Sequence, residues 1–158
     1  KLAPAMLKPG SAIKQLTERH LRPVPRVEWG RKIALSGCAS SMIDISDGLS
    51  SDLVHICEQS GVGAVISSDN IPLSPSLRKA SGHLTKSVMQ YALSGGEDYE
   101  LLFTVPAAKI KKLLSLGLPA TEIGEITRTR RMMMVDGMGR RTPLKPAGYN
   151  HFLRSQNK

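Results

Sequence analysis

SMIDISDGLSSDLVHI, residues 41–56, changes its period halfway along. Up to Ile45 it is short and apolar, suited to a strand over 40–45. From Leu49 the apolar residues recur at Leu53, Ile56 and Cys57, spacings of four, seven and eight, which is one face of a helix. Ser60-Gly61 closes that helix, and Ser50, Asp52, Glu58 and Gln59 are expected on its polar side. The junction therefore sets Asp44 at a strand end, Ser46 and Asp47 in a turn, and Gly48 where the helix begins. Two uses compete for such a place. Ser46 or Asp47 can serve as an N-cap, and an acid at a helix start gains about 0.3–1 kcal/mol without any ligand. Carboxylates there can also hold hydrated magnesium, beside a helix N-terminus whose free N–H groups suit phosphate. Capping accounts for Asp47 but leaves Asp44 unexplained.

Working outward, Ser11 to His20 has a short helical pattern between Pro and Gly breakers, and Val27 to Leu35 reads as a helix ending at Gly37. Downstream come a strand over 63–68, a helix starting near Ser76 after Pro72 and Pro75, and a helix over 86–93. The run DYELLFTV predicts a strand over 98–105, followed by a helix from Pro106 to Leu116 stopped by Gly117. Strands are predicted over 122–127 and 132–135, the latter turning at Asp136-Gly137 toward a partner near 141–144. Alternating strands and helices followed by antiparallel pieces predict an α/β (α+β) fold, a mixed sheet covered by helices. The domain reading is a linker over 1–25, an α/β domain over 26–154 and a tail over 155–158. Because the chain opens at Lys1 rather than Met, a longer parent protein with an N-terminal domain is expected.

At 158 residues and 41% hydrophobic content the chain has the size of one globular domain with a real core. No apolar run approaches the about 18 residues of a membrane span, and no secretory leader pattern opens the chain, so a cytoplasmic protein with no membrane partner is expected. Cys38 and Cys57 lack disulfide or zinc-ligand spacing and are read as ordinary thiols. A formal net charge of +9 favours polyanions, but the 4% aromatic content gives little on which single strands could stack, and no nucleic-acid motif is present.

Two further segments can carry chemistry. SGGEDYELLF, residues 94–103, sets two glycines before Glu97 and Asp98, either a ligand-approaching loop or a plain entry into a strand. AGYNHF, residues 147–152, offers Tyr149 either for stacking on a heteroaromatic ring or for anchoring the tail. His55 and His151 have no companions at metal-ligand spacing, and Met132 to Met134 reads as strand core.

In this order MIDISDGLSSDLVHI, IPLSP with LSGGEDYELLFTVP, IGEIT and the terminal GYNHF resemble the C-terminal domain of the thiamine-monophosphate kinases. These belong to the ATP-binding superfamily of aminoimidazole ribonucleotide synthetase. The resemblance implies a kinase that phosphorylates thiamine monophosphate to thiamine diphosphate with ATP and Mg2+. It implies Asp44 and Asp47 as magnesium ligands, Ser46 as an ATP contact, and Glu97 and Tyr149 as substrate contacts. No covalent nucleophile or general base is implied. One position departs from the family pattern: Asn150 stands where an Asp is usual, which removes a charge beside the substrate ring that the resemblance assigns to Tyr149. The resemblance also implies a homodimer whose N-terminal domain supplies further magnesium ligands, and an isolated C-terminal piece with little or no activity. The rival readings are a related ATP-dependent enzyme acting on another small molecule, and a basic nucleic-acid-binding module; no nucleic acid is expected under the first two readings.

Overall fold

The structure, a computed structural model, describes residues 10–147. Helices α1 (Ser11–Leu21) and α2 (Val27–Ser36) lead into strand β1 (Ser41–Asp44), which is followed by α3 (Leu49–Ser60) and β2 (Gly63–Ser67). Short helices α4 (Pro75–Lys79) and α5 (Val88–Ser94) then precede β3 (Leu101–Thr104). The described residues end with α6 (Ile110–Leu114), β4 (Gly124–Thr127), β5 (Met132–Val135) and β6 (Arg141–Pro143). Helix boundaries follow local chemistry. Gly37 and Gly61 end α2 and α3 in the left-handed conformation, at φ 63° and 65°. Ser87 and Gln90 form a reciprocal capping box at α5.

The mixed strand-and-helix class predicted from the sequence stands, but the strands are shared between two sheets. Among the described residues β1 pairs only with β3, antiparallel, as a two-stranded ribbon. The other sheet runs β4-β2-β5-β6 and is mixed, with β2 parallel to β5 and both outer pairs antiparallel. The predicted hairpin at Asp136 forms, its carboxylate accepting the N–H groups of Met138 and Arg140 at 3.0 Å each. Two predictions ran long by more than two residues. The strand expected over 98–105 begins only at Leu101, because Glu97 and Tyr99 adopt left-handed backbone (φ 68° and 52°) that no strand accommodates. The helix expected over 106–116 opens as a 3-10 turn and is α-helical only over Ile110–Leu114.

The core lies between α3 and the sheets. Leu49, Leu53, Ile56 and Cys57 of α3 pack with Ala64 and Ile66 of β2, Leu102 of β3, Ile71 and Leu144. Met132 and Met134 pack against this cluster, as strand-core methionines should. Both cysteines are free and buried, and burial pushes the Cys57 thiol up. Ile13 of α1 is buried, and α1 lies against α4. Among the described residues no helix is long and apolar enough to cross a membrane.

Candidate functional site

The register of the β1–β3 ribbon builds the site. Asp44, the last residue of β1, sits opposite Leu101, the first of β3. In an antiparallel pair the segment leaving one strand and the segment entering the other emerge at the same end. Residues 45–48 and 95–100 are therefore neighbours, though they are far apart in sequence. Three backbone bonds continue the pairing past the ribbon: Ile45 N–H to Glu100 O at 2.8 Å, Tyr99 N–H to Ile45 O at 2.8 Å, and Glu97 N–H to Ser46 O at 2.9 Å. The approach is close enough that a Cβ on Gly96 would stand 2.8 Å from Ser46 O. That is the role of a glycine in SGGEDYE.

Asp44, Ser46, Asp47 and Glu97, the positions singled out from the sequence, are thus brought together on one pair of interlocked loops. Asp44 and Glu97 are exposed; Ser46 and Asp47 are half-buried. The Tyr99 hydroxyl donates to Glu97 Oε2 at 3.0 Å, and this bond, with the nearby Glu97 and Asp44 charges, pushes the phenol up. Tyr149, Asn150 and His151 lie outside the described residues.

The capping expectation is overturned. The N-cap of α3 is Gly48, and no side chain caps it. The donors ahead of the helix turn instead to Asp52, whose Oδ2 accepts the N–H groups of Ser46, Asp47 and Gly48 at 3.1, 3.2 and 3.1 Å. Asp52 and Ser50, expected on the polar face of α3, are 2% and 0% exposed. Burial pushes the Asp52 carboxyl up, and the three N–H donors pull against that shift. Ser50 donates to Leu93 O at 2.9 Å and accepts the Ala147 N–H at 3.2 Å, tying α3 to the end of α5 and to the start of the C-terminal segment. The helical period could not reveal this. It identifies the apolar face but not which polar residues find buried partners; the one signal was the unusual number of Asp and Ser around Gly48.

A second anchor fixes the 95–100 loop from outside. Glu100 receives a two-pronged contact from Arg26, Nε to Oε2 at 2.9 Å and Nη2 to Oε1 at 2.8 Å, and a further bond from Arg19. The Arg26 guanidinium in turn lies 4.5 Å from the Trp29 ring centre. The Arg26 hydrogen bond holds the Glu100 carboxyl below the usual glutamate range, despite partial burial. A lowered pKa gives stability that is present above that range and lost as pH falls through the lowered value. Arg26→Ala is expected to lower stability at neutral pH by on the order of 1 kcal/mol, solvent screening included. Its melting temperature should converge toward that of the unmodified chain as pH is lowered to 3; a gap that stays constant over the titration removes the ionised pair from the account.

The donors left over are oxygens. Neither the Asp44 nor the Asp47 carboxylate accepts a hydrogen bond or ion pair from another described residue, and the Ser46 hydroxyl stands between them in sequence. Asp47, Asp52 and His55 also bring potential ligand atoms within 4.8 Å of one another, but Asp52 spends one oxygen on three amides. Two uncommitted carboxylates and a hydroxyl on a preformed loop fit a hard cation that takes oxygen ligands and keeps waters and phosphates in its shell. A cleft of about 390 Å³ lined by Cys57, Glu58, Arg130 and Leu144 belongs to the opposite, C-terminal end of α3, away from these groups.

Comparison with known proteins shows the family and the fold. Residues 11–136 match the family described as "AIR synthase related protein, C-terminal domain". The thiamine-monophosphate kinase of Escherichia coli strain K12 is 44% identical over 142 residues, covering 87% of this chain and 42% of the relative. That of Aquifex aeolicus is 38% identical over 137 residues, covering 87% and 41%. A solved structure described as AaThiL complexed with AMPPCP and TMP superimposes with a TM-score of 0.77 at 34% identity, over 93% of this chain and 44% of that one. The hydrogenase maturation protein HypE in complex with ATP shares the fold, with a TM-score of 0.61 at 20% identity over 73% and 38%. The chain therefore spans about two fifths of the length of the relatives it matches.

Proposed function

The chain belongs to the AIR synthase related proteins, as their C-terminal domain, and from that premise we propose that it is the C-terminal portion of a cytoplasmic thiamine-monophosphate kinase. The reaction moves the terminal phosphoryl group of ATP onto the phosphate of thiamine monophosphate, giving thiamine diphosphate and ADP. The observation that supports the reading is the interlocking of the 44–48 and 95–100 loops, which brings Asp44, Ser46, Asp47 and Glu97 to one end of the β1–β3 ribbon.

In this reading Asp44 and Asp47 hold Mg2+, Ser46 contacts ATP, and Glu97 and Tyr149 contact thiamine monophosphate, with Asn150 changing the charge beside that ring. When bound, Mg2+ supplies the neutralisation that lets two polyanions approach in line. The side chains bind and orient. None needs to act as a covalent nucleophile, and none needs to remove a proton, because the attacking phosphate oxygen is already largely ionised at neutral pH. The remaining length of the relatives is proposed to supply further acidic ligands, ATP contacts and a homodimer interface, so this chain alone has little or no turnover.

Isothermal titration of ATP into the chain, with magnesium and with EDTA, tests the metal side. Binding should need magnesium and weaken by about tenfold or more in Asp44→Asn. Glu97→Gln should leave that binding unchanged and weaken thiamine monophosphate. Equal ATP affinity in EDTA, or an Asp44→Asn chain that binds as before, overturns the assignment.

A further inference from the structure

A loop of successive N–H groups at the head of a helix is a ready place for a phosphate. Here that place is taken. The N–H groups of Ser46, Asp47 and Gly48 all point to Asp52 Oδ2. The N–H groups of Ser51 and Asp52 already bond Gly48 O, at 2.9 and 3.0 Å. The other amides of the first turn belong to Leu49 and Ser50, which are 5% and 0% exposed. A phosphate seeking these donors would have to expel a carboxylate that is itself 2% exposed, beside the uncompensated charges of Asp44 and Asp47.

We infer that Asp52 is a positioning residue, the chain's own anion in the amide pocket ahead of α3, so that nucleotide phosphates reach this loop through a cation on Asp44 and Asp47 and not through backbone N–H groups. The inference rests on the metal assignment under the proposed function, and it adds a reason for strict metal dependence. A loop whose amides bound phosphate directly would retain affinity in EDTA; a loop whose amides are internally satisfied has only its acids and the Ser46 hydroxyl to offer, and of these only the acids, through a cation, can neutralise phosphate charge. The same three bonds fix the backbone that carries both acids, so Asp52 acts on the metal through them without being a ligand.

The test follows the amide signals of residues 46–48 in the 15N-labelled chain, first with inorganic pyrophosphate in EDTA, then with Mn2+ as the metal probe. In the unmodified chain pyrophosphate alone should leave these signals in place, and Mn2+ should broaden them. Asp52→Asn keeps the size and one acceptor oxygen but removes the charge. In that variant the three amides should exchange with solvent about tenfold faster, and Mn2+ affinity should fall about tenfold with the rest of the spectrum unchanged. Signals that move with pyrophosphate in EDTA overturn the role of Asp52, as does an Asp52→Asn chain that binds Mn2+ as tightly as the original. Should that variant fail to fold, the EDTA arm on the unmodified chain still decides. A chain that takes up no Mn2+ at all instead overturns the metal assignment, so the two failures are distinguishable.

Discussion

Gly48→Ala is expected to destabilise the chain by about 3 kcal/mol, which for a domain of this size lowers the melting temperature by roughly 10 °C. Two independent costs add at this position. The backbone has φ 117° and ψ 148°, a region that side chains other than glycine enter only with strain. A Cβ built there would also stand 3.0 Å from Ser94 Cα and 3.1 Å from Leu93 O, both main-chain atoms at the end of α5. Neither neighbour is the free end of a flexible side chain, so relief requires α3 and α5 to part. That movement would carry the loop bearing Asp44, Ser46 and Asp47 away from the 95–100 loop. Thermal unfolding followed by circular dichroism reads the stability; a shift of only one or two degrees would falsify the account of Gly48 as a close-packing and conformational requirement.

Asp52→Ala is expected to cost a similar amount, about 3 kcal/mol, because it leaves three N–H donors at the head of α3 without their acceptor. The comparison with Asp52→Asn separates shape from charge. Asparagine can still offer one carbonyl oxygen and should lose less stability, whereas alanine offers nothing. Urea unfolding of both variants checks this order. Should alanine prove the milder substitution, relief of the buried charge would outweigh the lost hydrogen bonds, and Asp52 would be a burden on the fold rather than its loop anchor.

Much of the site was legible in local pattern. The change of period at Gly48 placed Asp44 at a strand end and started a helix at Leu49, and both features stand. The paired glycines ahead of Glu97 left open a ligand-approaching loop or a plain strand entry; in the fold Gly96 lies close against the main chain at Ser46 O. What local pattern misjudged was polar residues with distant partners. Glu100, one residue before β3, is clamped by Arg26, which immediately precedes α2, and by Arg19 of α1, partners that no local pattern signals. Left-handed Glu97 and Tyr99 shortened the expected strand because their N–H groups answer to Ser46 and Ile45, not to a neighbouring strand.

By itself the sequence determined the order of helices and strands, the apolar face of α3, and a set of acids at chain positions suited to metal and phosphate chemistry. Those depend on periodicity and turn residues, which act over a few neighbours. Only the tertiary structure decided that the two acidic loops share one end of a ribbon, because antiparallel pairing of β1 with β3 is a long-range choice. It also decided which acid of SDGLSSD turns inward. Asp47 and Asp52 look alike as side chains near a helix start; Asp52 is buried because three amides converge on it, and that convergence exists only once the loop has folded back over α3.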